Sequence, residues 1–342
     1  MFGSRRKAAG SRSGDGEPIE AFWNWWVAAG RASAEAGIAG GGFGGFIDEI
    51  TERAKRIHPE LAWELSPGRH AEHALIVTAA GVAALRRVAE RWYQQAPVAD
   101  ATWEYHPARQ ADPVALSNML EFEGQKVNLK DLTFDLTIDN DRDVIDVVVM
   151  HPVFEKMSAE ACGSLGFLVL DWALGEDGVT RWIRGFQTSA SASSTGIPAD
   201  GLIETVDALA GRAGKARWAL LRGEHEGAVV LASVAFPAKW VDHPLLDRHI
   251  AVTLPFAGLP SQDALDRLRE FEDGLTSRLP PTALLVAHES HMSRGVRTLH
   301  LYGDSDDPHL DDIVRNAASG WPGGTISSSQ DPGWHAIRHL TG

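Results

Sequence analysis

The sequence predicts an α+β protein of two domains, each a mainly antiparallel sheet with helices packed on it. After Pro97, extended apolar segments follow one another without helical patterns between them, which favours antiparallel sheets over a doubly wound sheet. Apolar stripes with helical spacing occur in both halves of the chain. The 342 residues exceed what one hydrophobic core usually organises, so two domains are expected.

The composition indicates a soluble globular protein with an excess of acidic residues. The formal net charge is -14, from 46 acidic and 32 basic residues. This balance opposes binding to the phosphate backbone of a nucleic acid and favours a basic protein partner. An excess of carboxylates also keeps a surface solvated without any partner, so both interpretations stay open.

The cysteine count and the hydropathy pattern bear on the compartment. Cys162 is the only cysteine, which excludes an intrachain disulfide and a multi-cysteine metal site. No apolar run approaches the roughly 20 residues of a membrane-spanning helix, and no signal-peptide core follows the basic residues Arg5, Arg6 and Lys7. We therefore expect a cytoplasmic protein that does not bind a membrane and needs no cofactor.

The first 60 residues combine a polar tail with an aromatic cluster. Residues 1–18 mix Gly, Ser, Arg and Asp without periodicity, which predicts a disordered tail. Residues 22–26 contain four aromatic side chains, and adjacent aromatics on a helix point to several faces, so this helix should be buried. The glycine-rich residues 40–45 lack the preceding strand and the Lys-Ser/Thr of a nucleotide loop, so we expect a hinge between helices.

The remainder of the first half alternates between extended and helical patterns. Helices are predicted at residues 46–57, 82–95 and 159–174, and strands at residues 74–78, 102–106, 132–138 and 144–150. A stretch rich in small residues at 188–196 is typical of a mobile connection or a long loop. It places the domain boundary near residue 200, which gives domains at 19–200 and 201–342.

The second half repeats the mixture of strands and helices. Strands are predicted at residues 217–221, 228–231, 250–254, 283–287 and 296–302. One helix is entered at Pro260 and Ser261 and presents an apolar stripe to the core, and another begins at Asp307 and Pro308. This half is therefore also α+β.

Short motifs occur at a characteristic spacing in the last third of the chain. They are Trp218, Gly258-Leu259-Pro260, Glu272-Asp273-Gly274-Leu275, Gly295-Val296-Arg297, Tyr302 and Asp331-Pro332-Gly333-Trp334. With this spacing, residues from about 216 to 341 resemble the bacterial domain-of-unknown-function family 695.

That family has no assigned activity, and its relatives are sometimes joined to a domain similar to a ribonuclease E inhibitor. The resemblance therefore implies a regulatory rather than a catalytic setting. The family pattern usually ends with an aromatic residue a few positions after the tryptophan, where this sequence has Ile337 or Arg338.

Two histidines near the C-terminus raise the question of a metal site. Asp331 and Pro332 have the chemistry of a helix entrance, and His335 and His339 would share one face of the helix that follows. Four-residue spacing suits zinc, but the glutamate of the zinc-protease motif and an identifiable third ligand are missing. His288, His291 and His300 lie on neighbouring predicted strands, yet we predict no metal site.

Catalytic arrangements are poorly supported. Cys162 lies among small residues of a predicted buried helix, where an inert thiol is expected, and no nucleophile elbow occurs. Asp171 and Glu176 form a pair of acids that is suited to acid–base chemistry if one is desolvated. We expect instead that Asp171 pairs with Arg181 or Arg184.

Four residues remain as binding candidates: Asp171, Glu176, Arg297 and Trp334. Arg297 could clamp an anion through its guanidinium fork, or it could neutralise Glu272 or Asp273, and we prefer the second role.

The sequence therefore favours a non-enzymatic interaction or regulatory protein over an enzyme. The alternative is a small hydrolase or metal-dependent enzyme that uses Asp171 and Glu176 or the group of His288, His291 and His335. A third possibility is that the second domain serves only to dimerise the first. The oligomeric state and the identity of the partner stay open.

Overall fold

The computed structural model describes residues 16–212, 217–225, 227–257 and 261–341. Its helices are α1 Gly16–Trp25, α2 Arg31–Ala36, α3 Phe46–Ile57, α4 Ala83–Gln94, α5 Ala159–Leu174, α6 Glu176–Trp182, α7 Ala199–Arg212, α8 Gln262–Thr276, α9 Leu310–Ala318 and α10 Arg338–Thr341. The mixture of these helices with mainly antiparallel sheets confirms the α+β class. None of the described helices has both the length and the apolar character needed to cross a membrane.

The strands form four separate sheets. They are β1 Ala62–Pro67, β2 His73–Thr78, β3 Trp103–His106, β4 Met119–Phe122, β5 Gln125–Asn128, β6 Thr133–Asp139, β7 Val144–Met150, β8 Ile183–Ser189, β9 Arg217–His225, β10 Ala228–Phe236, β11 Arg248–Pro255, β12 Ala283–His291, β13 Val296–Gly303 and β14 Thr325–Gln330. The strand orders are β1-β2-β3, β4-β5, β6-β7-β8 and β14-β11-β13-β12-β10-β9.

Contacts between Cα atoms group the chain into two compact units that alternate along the sequence. Unit 1 comprises the residues up to Leu61, Ala83–Pro97 and the residues from Trp218 onward. Unit 2 comprises Ala62–Val82 and Val98–Arg217. The boundary predicted near residue 200 coincides with the start of α7, whose Leu202, Val206 and Leu209 pack into the core of unit 2. Each unit is therefore assembled from separate pieces of chain.

Two strand pairings in unit 2 are parallel, which the sequence did not predict. β2 pairs with β3 in parallel, and β7 pairs with β8 in parallel, whereas β1 pairs with β2 and β6 with β7 in antiparallel fashion. Helices do lie between the parallel partners: α4 follows β2, and α5 and α6 follow β7. A parallel pairing requires a crossover connection of about a dozen or more residues, and such connections usually contain a helix.

The N-terminal helices and α4 share an aromatic core in unit 1. Phe22, Trp23, Trp25 and Trp26 are buried, as predicted for this cluster. The indole Nε1 of Trp23 donates a 2.8 Å hydrogen bond to the carbonyl of Trp92, and the two rings stack with centroids 4.5 Å apart. Residues 1–15 of the predicted tail lie outside the described residues, and 16–18 belong to α1.

The glycine-rich residues 40–45, where the sequence predicts a hinge, form a turn in the connection from α2 to α3. Gly40, Gly42 and Gly44 have positive φ angles of 94°, 75° and 50°, which side chains other than glycine rarely adopt. After this turn, α3 buries Phe46, Ile50, Ala54 and Ile57 at helical spacing, with acidic residues in its first turn and basic residues in its last.

The six-stranded sheet of unit 1 is covered on both faces. Ile250, Leu299 and Leu301 on one face pack against α8 and α9. The residues that pack on the other face include Val234, Tyr302, Trp334, Ile337 and Leu340, which brings the C-terminal segment onto the sheet.

Ion pairs connect α4 to acidic residues elsewhere in unit 1. Arg87 lies 3.4 Å from Asp247 and 2.5 Å from Asp306, and Arg91 forms an ion pair with Asp304. These side chains are largely buried, so each partner depends on the other for charge compensation.

Some helices begin at a different residue from the one predicted, and the hydrogen bonds at their first turns show why. Ser261 accepts a hydrogen bond from the amide of Ala264 and begins α8, while Pro260 lies outside the described residues. Asp307 accepts from the amide of His309, so α9 begins at Leu310 rather than at Pro308. At the C-terminus, Oδ1 and Oδ2 of Asp331 accept from the amides of His335 and Ala336. The capping chemistry of Asp331 is present, but a turn separates it from α10.

Candidate ligand-binding site

The candidate site lies in unit 2, where α5 carries Asp171. α5 begins at Ser158, whose hydroxyl accepts from the amide of Ala161, and ends before Gly175. Gly175 has a φ of 75°, and a Cβ there would lie 2.9 Å from the amide nitrogen of Ala111 and 3.0 Å from the carbonyl oxygen of Arg109. Only glycine allows the backbone to approach this closely, which places Asp171 and Glu176 beside the segment that contains Arg109.

Asp171 pairs with Arg109. Nη1 of Arg109 donates a 2.8 Å hydrogen bond to Oδ2 of Asp171, and its Nε donates a 3.2 Å hydrogen bond to Oε2 of Glu64. The predicted pairing of Asp171 with Arg181 or Arg184 is therefore wrong. Arg184 lies on β8 and pairs with Asp146 on the adjacent β7 and with Asp139 at the end of β6.

One oxygen of Asp171 is left without a donor. The residue is only 4% exposed, and its Oδ1 is buried with no hydrogen-bond partner among residues 16–212, 217–225, 227–257 and 261–341. Buried polar atoms in native proteins are nearly always satisfied, so such an atom requires an explanation. Asp171 lines a cavity of about 560 Å³ between β1, residues 109–112 and α5, and also a second, more open cavity of about 680 Å³.

Glu176 differs from Asp171 because both of its carboxylate oxygens are engaged. Oε1 accepts a 2.8 Å hydrogen bond from the amide of Gly81. Oε2 accepts from the hydroxyl of Thr78 and from the amide of Arg109, the latter at 3.2 Å. Glu176 thus ties together the segments that follow the parallel strands β2 and β3, and it has a structural role.

The charges around Arg109 are unequal. The Arg109 guanidinium faces the carboxylates of Glu64 and Asp171 and interacts electrostatically with Glu176. Burial raises the pKa of Asp171, Arg109 opposes the shift, and Glu176 adds to it. Burial also raises the pKa of Glu64, against Arg109 and with contributions from Asp171 and Glu176. The site has more negative charge than one guanidinium can compensate.

Glu104, at the same cavity, shows what a fully satisfied carboxylate looks like. It accepts hydrogen bonds from the amides of Arg69, His70 and Ala71 and from the imidazole of His106. Although burial opposes ionisation, these hydrogen bonds lower the pKa of Glu104 to about 2. Glu104 therefore fixes the loop that follows β1 as part of the cavity wall.

Arg297 and Trp334 lie in unit 1 and have structural partners. Nη1 of Arg297 donates a 2.6 Å hydrogen bond to Oε1 of Glu272, which confirms the preferred role of this arginine. Trp334 is 4% exposed, its Nε1 donates to the carbonyl of Leu246 at 2.9 Å, and its ring stacks on Tyr302 at 4.5 Å. Both side chains are committed to the core of unit 1.

Three of the histidines surround the carboxylate of Glu289. Nε2 of His291 and Nε2 of His300 both lie 3.5 Å from Oε1 of Glu289, and Nε2 of His339 lies 3.1 Å from Oε2. His335 instead contacts Asp331 at 3.1 Å, so His335 and His339 have different partners. Among the residues that the structure describes, no three His, Cys, Asp or Glu side chains form a metal-binding group, including His288, His291 and His335.

Cys162 is buried, and its thiol donates to the carbonyl of Phe154 at 3.6 Å. Burial raises the pKa of this thiol, which keeps it protonated, as expected of an inert cysteine.

Sequence reasoning missed Arg109 and Glu64. Arg109 follows β3 and Gly81 follows β2, and the carboxyl ends of parallel strands meet at one edge of a sheet. Such edges are where α/β proteins place ligands. Recognition of the parallel pairing would have pointed to this edge, but nothing in the local sequence signals Glu64.

Comparisons with protein-family models, with curated proteins and with solved structures find no match. The resemblance of residues 216–341 to family 695 stays a prediction from the sequence motifs.

Proposed function

We propose that the chain is a non-enzymatic interaction protein, and that the site at Arg109 and Asp171 receives a cationic group from a basic partner. The observation that carries this proposal is the buried Oδ1 of Asp171, for which the described part of the chain provides no donor. Leaving such an atom unsatisfied costs roughly 1–3 kcal/mol. An ammonium or guanidinium group that enters the cavity and displaces the atoms covering Oδ1 would supply the missing donor through a charge-assisted hydrogen bond.

The charge balance supports the same ligand class. Arg109 is the only cation in contact with the carboxylates of Glu64 and Asp171 in the described part of the chain, and Glu176 adds a further negative charge nearby. A second positive charge would favour the ionised forms of Glu64 and Asp171, both of which burial disfavours. A cation is therefore the ligand that gains most from this site.

The dimensions of the site and the charge of the whole chain fit a protein side chain. A cavity of about 560 Å³ falls in the usual range for ligand pockets and accommodates a lysine or arginine side chain. The net charge of -14 would draw a basic partner toward the protein and increase the rate of encounter.

The second candidate function is acid–base hydrolysis, favoured by the raised pKa values of Asp171 and Glu64. Glu176 is a poor member of such a pair because its two oxygens already accept hydrogen bonds from Thr78, Gly81 and Arg109. An enzyme at this site would therefore use Asp171 with Glu64 rather than with Glu176.

Binding can be tested with a capped tripeptide that contains one arginine. The matched probe replaces arginine by citrulline, which has nearly the same shape but no charge. We expect the arginine peptide to bind the full chain, the citrulline peptide to bind at least about tenfold more weakly, and Asp171→Asn to remove this difference, since tenfold corresponds to about 1.4 kcal/mol. Calorimetry or chemical-shift perturbation would measure both affinities.

Asp146→Asn is the matched control because it removes the same charge from an exposed position of unit 2. It should leave the preference for arginine intact. Equal binding of the two peptides, or an unchanged preference in Asp171→Asn, would refute the cation site. Turnover of an ester or amide substrate that Asp171→Asn and Glu64→Gln both abolish would favour the hydrolase instead.

A further inference from the structure

The two edges of the six-stranded sheet in unit 1 have opposite character. β14 forms one edge with the sequence Thr-Ile-Ser-Ser-Ser-Gln, in which only Ile326 is apolar. β9 forms the other edge, and its charged residues Arg217, Arg222 and Glu224 stand beside the large apolar residues Trp218, Leu220 and Leu221. Proteins usually protect the exposed edge of a sheet with polar or charged residues, so large apolar side chains exposed on an edge strand require a reason.

The side chains of β9 divide between the core and the solvent. Ala219 and Leu221 pack against the core that contains Val234 and Trp334. Trp218 and Leu220 point to the other face and are 52% and 78% exposed. Val229 on the neighbouring β10 is also exposed, so the outer face of this hairpin presents three large apolar side chains beside the charged Arg222 and Glu224.

We propose that β9 is a dimer interface, in which β9 of a second copy adds antiparallel to the sheet about a twofold axis at Leu220. The two six-stranded sheets would then form one continuous sheet of twelve strands. Each added strand supplies the backbone partners that the edge of β9 lacks among the described residues.

The sequence of β9 is self-complementary in this register. With the axis at Leu220, the two Leu220 side chains face each other, and Trp218 of each copy lies opposite Arg222 of the other. Side chains directly opposite in an antiparallel pair are close enough to interact, and a guanidinium over an indole ring is favourable. Both pairs form twice because of the symmetry.

Neighbouring registers are less favourable. An axis at Arg222 would set the two guanidinium groups against each other, and an axis at Leu221 would set Trp218 against the carboxylate of Glu224. A twofold axis beside one residue pairs positions that point to the same face of the sheet. The outward side chains of one copy then lie beside the outward side chains of the other. Among these registers, the one with the axis at Leu220 is the most favourable.

The oligomeric state of the full chain tests the proposal. Light scattering coupled to size exclusion should give twice the chain mass, and Leu220→Lys should give the monomer because it places two like charges at the axis. Val98→Lys is the matched control, since Val98 is 93% exposed and lies outside β9, and it should remain dimeric. A monomeric parent chain, or a Leu220→Lys variant that stays dimeric, would overturn the proposal.

Disulfide formation tests the register in a Cys162→Ala background. Residues opposite each other at the axis have Cα atoms about 4.5–5.5 Å apart, which suits a disulfide. Leu220→Cys should therefore cross-link two chains on oxidation. Trp218→Cys should not, because the two copies of residue 218 are offset along the strands by about 13 Å. Preferential cross-linking of Trp218→Cys would contradict the assigned axis.

Discussion

The hydroxyl of Tyr302 donates a 2.6 Å hydrogen bond to Oδ2 of Asp331, which joins the centre of the unit 1 sheet to the C-terminal segment. The same carboxylate accepts from the amides of His335 and Ala336. Although burial opposes ionisation, the hydrogen bonds from Tyr302, Ala336 and His335 lower the pKa of Asp331. The ionised carboxylate thus holds the C-terminal turn in place.

Tyr302→Phe should destabilise the protein by roughly 1.5–3 kcal/mol, because it removes a hydrogen bond to a charged group. Unfolding in urea, followed by tryptophan fluorescence, would measure the loss. Tyr93→Phe, at an exposed tyrosine of α4, is the control and should change stability by less than about 0.5 kcal/mol. Equal effects of the two substitutions would contradict the assigned role of the Tyr302 hydroxyl.

His249 should make stability depend on pH between about 4 and 6.5. Burial, and then the neighbouring His300, lower its pKa to about 4, against the opposing charge of Asp331. Below about pH 6.5, His249 therefore binds a proton more readily in the unfolded chain than in the folded protein. The contribution of neutral His249 to stability is complete above about pH 6.5 and falls as the pH falls toward 4. The total loss should be about 3 kcal/mol.

Unfolding of the parent chain and His249→Asn across this pH range tests that expectation. The free energy of unfolding of the variant should change less with pH, because asparagine at position 249 does not titrate. A difference between the two proteins that does not change with pH would show that His249 is not the titrating group.

Glu176→Gln should cost more stability than Asp171→Asn. Glutamine offers one acceptor oxygen where Glu176 accepts from Thr78, Gly81 and Arg109, so we expect a loss of roughly 2–3 kcal/mol. Asp171→Asn keeps an acceptor for Arg109 and removes a charge that burial disfavours, so its cost should stay within about 1 kcal/mol. Thermal and urea unfolding would rank the two variants, and the reverse order would contradict the separation of the two roles.

Arg297→Met should destabilise unit 1 by about 3–5 kcal/mol, because it leaves the partly buried Glu272 without its cation. Adding Glu272→Gln should recover part of the loss, which a double-mutant cycle would measure. Arg269→Met, which breaks an exposed pair with Asp266 on the same helix, should have an effect below about 1 kcal/mol. No recovery in the double variant would argue against the pairing.

Local patterns in the sequence predicted several elements to the residue. The helices at 46–57 and 159–174 and the strand at 144–150 have the predicted bounds. Their apolar periodicity and end signals lie within the element itself, so no knowledge of distant partners is needed. By contrast, β8 and β14 are rich in polar residues, and their strand conformation depends on pairing with β7 and β11.

The candidate site depends on contacts that are distant in sequence. Asp171 was recognised as unusual because it interrupts an apolar helix, but its partner Arg109 lies 62 positions away. The parallel pairing of β2 and β3 brings Arg109 to Gly81 and Glu176, and no local pattern announced that pairing. Proximity along the chain instead suggested Arg181 and Arg184, of which Arg184 pairs elsewhere.

The alternation of the two units along the chain constrains how the protein can be made. All of unit 2 has been synthesised once Arg217 is added, whereas unit 1 needs the residues that follow. Until then Arg87 and Arg91 lack Asp247, Asp304 and Asp306, the acids that compensate them in the finished protein. A nascent chain therefore carries α4 without these compensating acids until the segment from Trp218 onward has been synthesised, and no single truncation point yields unit 1 alone.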